Sequence, residues 1–528
     1  MNYRFVIRQL GWLFIVLSLS TAAVVVLTWI LHWMTNASVS HNNTAAMWAL
    51  LISVVIGLLI GGVLWLASRG AGEFLGRREA LLLVAVTWLI GAAYAALPFF
   101  CYALIHPGLQ SDHPFNHFIN CYFEAMSGLT TTGATVLSDI GSLPDALKLW
   151  RATTAWLGGL GIVVLFVAVF PTVGVGGKKL YQFEATGPTH AGVRPRIRET
   201  ARVLWLIYLG LTGAQIVALK LCGMSMFDSI CHTFTTVATS GFAAYDASIG
   251  APAFGAAAQI VVIVFMVLAG VNFGLYFQVF RGRARQVWTD PELRAYLGIM
   301  LIAVVVVIVF IVGRPMQETN PAGTHESLSW GGAVLHGVFQ TVSLQTTTGF
   351  CTADFDQWSF APTAVLVMLM FIGGSAGSTS GGVKVIRWLI VFKVLAAELE
   401  RAFRPNVVRT VRVGRTVIDP DLRQATLAYV LGILFLTLVG AVLIMMLEQN
   451  NADLAARGQS IDFKTAGMAS IATLNNIGPG LGLIGATQNY GWFGTPSKLV
   501  MCVFMALGRL EVFAIMVLFC FRTFWRSE

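Results

Sequence analysis

The chain has 528 residues, of which 56% are hydrophobic and only 11% charged. Soluble domains carry about 25% charged residues, so this balance excludes an ordinary soluble protein and indicates a membrane one. A net charge of +9 raises nucleic acid as a partner, and the distribution of the basic residues along the chain removes it.

Ten apolar segments reach the length of about 20 residues needed to span a bilayer. They run near 10–34, 46–68, 80–105, 152–173, 203–222, 256–280, 295–313, 361–390, 424–447 and 498–521. The first follows Arg4 and Arg8 as a signal sequence would. It is too long for such a segment and lacks a convincing cleavage site, so it reads as an uncleaved span. With the N-terminus in the cytoplasm, 25 of the 34 basic residues fall in inside loops and seven outside, leaving Lys384 and Arg509 at membrane depth. This obeys the positive-inside rule. The charge is therefore topology with lipid contact, no nucleic-acid footprint is expected, and both termini face the cytoplasm. The seven cysteines form no CxxC pair and no Cys/His metal spacing, so neither a disulfide framework nor a zinc site is indicated.

Within the loops assigned to the outer side, one short phrase recurs. Thr130-Thr131-Thr132-Gly133 returns as Thr346-Thr347-Thr348-Gly349, with looser copies at Ala238-Thr239-Ser240-Gly241 and Asn475-Asn476-Ile477-Gly478. The glycines are 108, 108 and 129 residues apart. Each phrase follows a short semi-apolar run: Phe115 to Leu129, Met226 to Thr236, Leu328 to Leu344, Asp462 to Thr473. Long apolar segments flank each run, so an internal repeat of helix, half-length helix, Thr/Gly turn and helix is expected.

Four such turns meeting on an axis can aim backbone carbonyls at a bare cation and replace its water shell. Irregular backbone at membrane depth is tolerated where it is buried in protein or lines a wet cavity. A half-length helix ending at the turn points its negative dipole end at the ion. The competing view, four ordinary helix-end turns, is weakened by the near-even spacing. The expected fold is an all-α polytopic membrane protein with four pseudo-symmetric units around a central pore. Residues 1–79 form an accessory hairpin, and the units cover 80–175, 200–285, 293–400 and 424–524.

The eighth segment contains Gly373, Gly374, Ser375, Ala376, Gly377, Ser378, Thr379, Ser380, Gly381 and Gly382. Each glycine costs about 1 kcal/mol against Ala in a helix, so a break is expected, and glycine-interrupted spans in transport proteins mark working sites. A phosphate-binding loop is disfavoured, because Gly382 is followed by Val383 and Lys384 and the GxxxxGK[ST] pattern is absent. Arg509 lies 12 residues into its span and Gly373 12 residues into another of the same direction, which puts both at one depth. An intramembrane arginine is costly and by default functional; the alternative is a structural arginine held by helix-end carbonyls. Lys384 is expected to carry its charge toward the cytoplasm. Glu124 and Asp228 are acids near the turns. Asp228 reads equally as a helix cap, and His232 as a packed, hydrogen-bonded histidine. No paired-carboxylate or Ser/His/Asp arrangement emerges, so no enzyme is expected.

These motifs closely resemble the Trk-type bacterial potassium uptake proteins (TrkH and TrkG) of the Trk/Ktr/HKT superfamily. The resemblance covers essentially the whole chain. It rests on SGLTTTGAT at 127–135, TTVATSGF at 235–242, QTTTGF at 345–350 and TLNNIGPGLG at 473–482, with GGSAGSTSGGVKVIR at 373–387 and GRLEVF at 508–513. It implies potassium ions held at Thr131, Thr132, Gly133, Thr239, Ser240, Gly241, Thr347, Thr348, Gly349, Asn476, Ile477 and Gly478. The glycine break and the arginine at one depth together predict a gate at 373–382 with Arg509, and Lys384 carries less weight in it. The resemblance also implies a homodimer in the bacterial inner membrane and a cytosolic TrkA-type nucleotide-binding ring, so a nucleotide belongs on the partner and no covalent cofactor on this chain. The chain departs from the Thr run at Ser240 and at Asn475-Asn476-Ile477. Two mechanisms fit: channel-like conduction, and symport with protons or sodium. Proton coupling needs an acid relay, and the spans hold few acids, Glu511 being the main one, which favours conduction.

Overall fold

Long apolar runs form long helices, some of them starting behind an Asp at the cap position and a Pro at the first helical position, as at Pro291 and Pro420. The computed structural model describes residues 3–510 apart from 36–40, 71–76, 107–112, 169–196, 320–323, 326–327, 407–409 and 415. Among the described residues, six helices are long and apolar enough to cross a membrane: Tyr3–Met34, Asn42–Ala67, Leu81–Ile105, Ala201–Leu221, Pro291–Ile311 and Pro420–Glu448. Their outward faces are bare hydrocarbon; Leu301, Ile302 and Val309 are each more than 60% exposed. In water such stripes would drive aggregation, and in lipid they are matched to the solvent.

Four segments repeat one order of elements. After the opening pair Tyr3–Thr35 and His41–Ala67, the first segment has a long helix Arg77–Ile105, a short helix Phe118–Leu129 and an inner helix Asp145–Ala168. The second has Ile197–Leu221, Met226–Val237 and Ala256–Ala269; the third Pro291–Ile311, Trp330–Gln345 and Phe360–Phe371; the fourth Pro420–Glu448, Phe463–Leu474 and Thr495–Arg509. The short helices are set by local signals. Ser225, Ser329 and Asp462 each accept a backbone N–H of the first turn, which satisfies an otherwise orphaned donor.

A polar cluster is enclosed within the apolar core: Thr130 to Thr132, Thr239, Ser240, Thr346 to Thr348, Asn475 and Asn476 are all at 1% exposure or less, while buried apolar side chains such as Phe123, Phe339 and Phe350 pack around them and further apolar side chains face outward.

Two expectations need correction. The segment 256–280 is not one straight span: Ala256–Ala269 and Phe273–Phe280 meet at 92°. Asn272 caps the second piece by accepting Gly274 N–H (2.7 Å), and Gly270 O accepts Ser375 N–H (2.9 Å). Lys384 does not reach the aqueous face either. It is 5% exposed and its ammonium donates to Ser380 O, because the chain at 373–384 folds inward before the helix Val385–Phe403 begins. The break expected in the eighth segment is present, between Phe371 and Val385. Residues 511–528, including Glu511 and the end of the tenth segment, lie outside the described residues, as do 169–196.

Candidate functional site

Each short helix ends in the same backbone device. Thr132 N–H donates to Ser127 O (2.8 Å), Ser240 N–H to Thr235 O (2.8 Å), Thr348 N–H to Ser343 O (2.8 Å) and Ile477 N–H to Ala472 O (2.9 Å). This is the six-to-one bond of a Schellman ending, which requires a left-handed residue just before the donor. Those residues are Thr131, Thr239, Thr347 and Asn476, with φ of 52°, 54°, 56° and 54°. Three are β-branched, and such residues are genuine outliers at positive φ. Two positions later come Gly133, Gly241, Gly349 and Gly478, with φ of 82°, 72°, 82° and 91°. The phrase read in the sequence is therefore one strained backbone conformation repeated four times. Strain of about 1–3 kcal/mol per residue persists only where surroundings over-determine it, and it clusters at functional sites.

The four turns close a ring in chain order. A β-carbon placed on Gly133 would stand 2.0 Å from Ser240 O, on Gly241 2.1 Å from Thr348 O, on Gly349 1.9 Å from Ile477 O, and on Gly478 2.7 Å from Thr132 O. Each glycine thus lies against the carbonyl preceding the next glycine, and the fourth returns to the first. No other residue permits that approach. Above the ring is a cavity whose lining includes all four glycines, Arg151 and Tyr490.

The glycine-rich loop packs against the other side of the turns. Gly381 N–H donates to Thr347 Oγ1 (2.6 Å), and a β-carbon on Gly381 would lie 2.5 Å from Asn475 O. Thr379 Oγ1 donates to Val237 O (2.9 Å), where the second short helix ends. The loop therefore touches the second, third and fourth segments. Arg509 completes the set: Nη1 donates to Thr379 O (2.7 Å), and Nη2 reaches Gly158 O (3.5 Å) on the inner helix of the first segment. Arg509 is 3% exposed, and its proximity to the loop is as the depth argument expected.

The acids and the histidine near the turns bind protein atoms. Glu124 is ion-paired to Arg151 (2.8 Å). Asp228 is not the cap: Ser225 is, and Asp228 answers it by accepting from Ser225 Oγ (2.6 Å) and Tyr245 Oη (3.1 Å). His232 Nδ1 bonds Asp228 O (2.9 Å), and its Nε2 accepts Ala244 N–H (3.3 Å), a packed histidine as read. Sequence reasoning missed Glu292, which accepts Ala376 N–H (2.7 Å) inside the loop and Ile386 N–H (3.3 Å) in the helix that follows it, and so ties the two together. It missed Tyr490, whose hydroxyl donates to Gly478 O (2.6 Å), and Arg151. In the sequence Glu292 reads only as an acid in the first turn of an apolar helix, a common helix-start feature that does not announce its contact with the loop.

The profile of the TrkH family, described as a cation transport protein, matches residues 46–523. The chain belongs to the TrkH family of cation transport proteins. The Trk system potassium uptake protein TrkH of Halomonas elongata is 35% identical and is covered end to end, as is this chain. The corresponding protein of Salmonella typhimurium is 36% identical, covering 89% of this chain and 91% of its own. TrkG of Escherichia coli K12 is 32% identical over 91% and 92%. The crystal structure of the potassium transporter TrkH from Vibrio parahaemolyticus superposes with a TM-score of 0.82, at 33% identity and full coverage of both chains. These relatives are transporters and not enzymes, and the described helices are those of a multi-pass membrane protein.

Proposed function

We propose that the chain is the potassium-translocating subunit of a Trk-type uptake system in the bacterial inner membrane, with ten spans and cytoplasmic termini. The observation that carries this reading is the closed ring of four identically bent Thr/Gly turns. Carbonyls on such a ring replace the hydration shell of a dehydrated cation, with selectivity set by their number and spacing. Ions are held at Thr131 to Gly133, Thr239 to Gly241, Thr347 to Gly349 and Asn476 to Gly478. The four segments are pseudo-symmetric units around the pore, and the opening helix pair is accessory.

The loop from Gly373 to Gly382, with Lys384 and Arg509, is the gate. Its contacts with three turns and the Arg509 bridge to the fourth segment's neighbour hold it across the path. Arg509 adds a buried positive charge below the ring, which opposes an emerging cation more strongly in a low dielectric. Two loop arrangements of similar free energy need only a few kcal/mol from a regulator to exchange dominance. A cytosolic TrkA-type nucleotide-binding ring on a homodimer supplies that regulation.

Reversal potentials in proteoliposomes test the mechanism. Channel-like conduction predicts a reversal potential that follows the potassium gradient alone. A shift with the proton or sodium gradient at fixed potassium selects symport instead.

A further inference from the structure

The four short helices carry different side chains at one equivalent position, nine residues before each glycine: Glu124, His232, Gln340 and Ala469. In the first two segments that side chain clasps the backbone three residues beyond the glycine. Val136 N–H donates to Glu124 Oε2 (2.9 Å) and Ala244 N–H to His232 Nε2 (3.3 Å). In the third, Gln340 Nε2 donates to Ala353 O (3.2 Å). Ala469 has no polar atom to offer. Of the four, Glu124 alone brings a carboxylate, and it is fully buried.

Arg151, 2% exposed, answers it through Nε (2.8 Å). The same guanidinium continues across the boundary between segments. Its Nη2 reaches Thr135 Oγ1 (3.4 Å) just after Gly133, its Nη1 donates to Ala243 O (3.1 Å) just after Gly241, and it lies 4.3 Å over the Phe242 ring. One side chain therefore ties the chain leaving the first turn to the chain leaving the second.

A buried ion pair is weak evidence for stability, because desolvation offsets much of the attraction and apolar side chains of similar volume often serve as well. What the planar fork supplies is geometry, a fixed separation between backbone groups that a flexible ammonium cannot reproduce. We propose that Arg151, oriented by Glu124, is a positioning residue for cation choice: it sets the distance between the Gly133 and Gly241 turns. This rests on reading those turns as a potassium filter. The pair is internally neutralised, so its effect runs through carbonyl spacing and not through charge at the mouth.

Permeability ratios of purified protein in liposomes test it. Arg151→Lys keeps the charge and loses the fork. The expected result is a potassium-over-sodium ratio about tenfold lower, with potassium flux retained and an unchanged gel-filtration profile. Glu124→Gln keeps an acceptor for Val136 N–H and is expected to lower the ratio less. The double variant is expected to match Arg151→Lys alone, since both changes break one linkage. An unaltered ratio in folded Arg151→Lys overturns the proposal, and so do fully additive effects in the double variant. If neither single variant folds, the pair is a folding element and the proposal is overturned. Absence of potassium preference in the unaltered protein overturns the filter reading instead.

Discussion

At the scale of the residue, the site depends on backbone conformations that only some side chains tolerate. Gly349 has φ of 82° and no room for a β-carbon, which would stand 1.9 Å from Ile477 O. Gly349→Val or Gly349→Asp is expected to abolish or blur potassium preference, measured as the potassium-to-sodium flux ratio. The fourth turn has Asn476 where the others have threonine, and asparagine is the non-glycine residue best suited to left-handed backbone. Its Nδ2 also donates to Thr132 Oγ1 (3.0 Å) and Met505 O (2.9 Å). Asn476→Thr should therefore reduce stability by about 1–3 kcal/mol, read as a lower thermal midpoint of the detergent-solubilised protein; an unchanged midpoint would refute this. The sequence showed the repeated phrase because the strain is written locally. Glu292 and Arg151 were illegible because partners such as Ala376 and Ala243 lie far away in the chain. Tyr490 is 12 residues from Gly478, but no periodic pattern announces a side chain that folds back across an irregular loop.

At the scale of the element, the inner helices of the second, third and fourth segments all end about level with the loop, at Ala269, Phe371 and Arg509. The glycine run made the third break legible. The 92° bend after Ala269 was not, because residues 256–280 form one largely apolar run in which Gly270, Asn272 and Gly274 near the bend are no stronger a signal than the scattered Gln259 and Gln278. The bend is made by tertiary contact with the loop, as Phe273 N–H donates to Gly377 O (3.1 Å). The loop and Arg509 are mutually dependent, so weakening either should release the closed state. Arg509→Ala, or deletion of Ala376 to Thr379, is expected to raise basal potassium leak in the absence of a partner while leaving ion preference largely intact. Single-channel or liposome flux decides it. If Arg509→Ala inserts normally and leaks no more than the unaltered protein, Arg509 is structural and the gate lies elsewhere.

At the scale of the whole molecule, apolar helix faces turn outward and a polar ring is enclosed; in the proposed account, conduction requires the loop below the ring to move. Arg401, Arg404 and Arg412 are exposed at and beyond the end of the helix Val385–Phe403 that follows the loop. The pair between Arg401 and Glu398 (3.9 Å) is solvent-screened and contributes little, which leaves these side chains available to anionic lipid or to a soluble partner. Neutralising all three is expected to weaken co-purification of a TrkA-type protein without changing insertion; unchanged recovery assigns them to lipid and topology. Of the other arginines in that stretch, Arg409 and Arg415 lie outside the described residues. The central claim, that the ring of four Thr/Gly turns conducts and selects potassium, is tested most directly by cation-replacement flux in liposomes holding the purified protein with Ala376 to Thr379 deleted, which releases the proposed gate without a partner. The account predicts uptake that persists with external potassium and falls sharply when sodium replaces it. Equal uptake of the two cations, or none of either with the loop deleted, would contradict it.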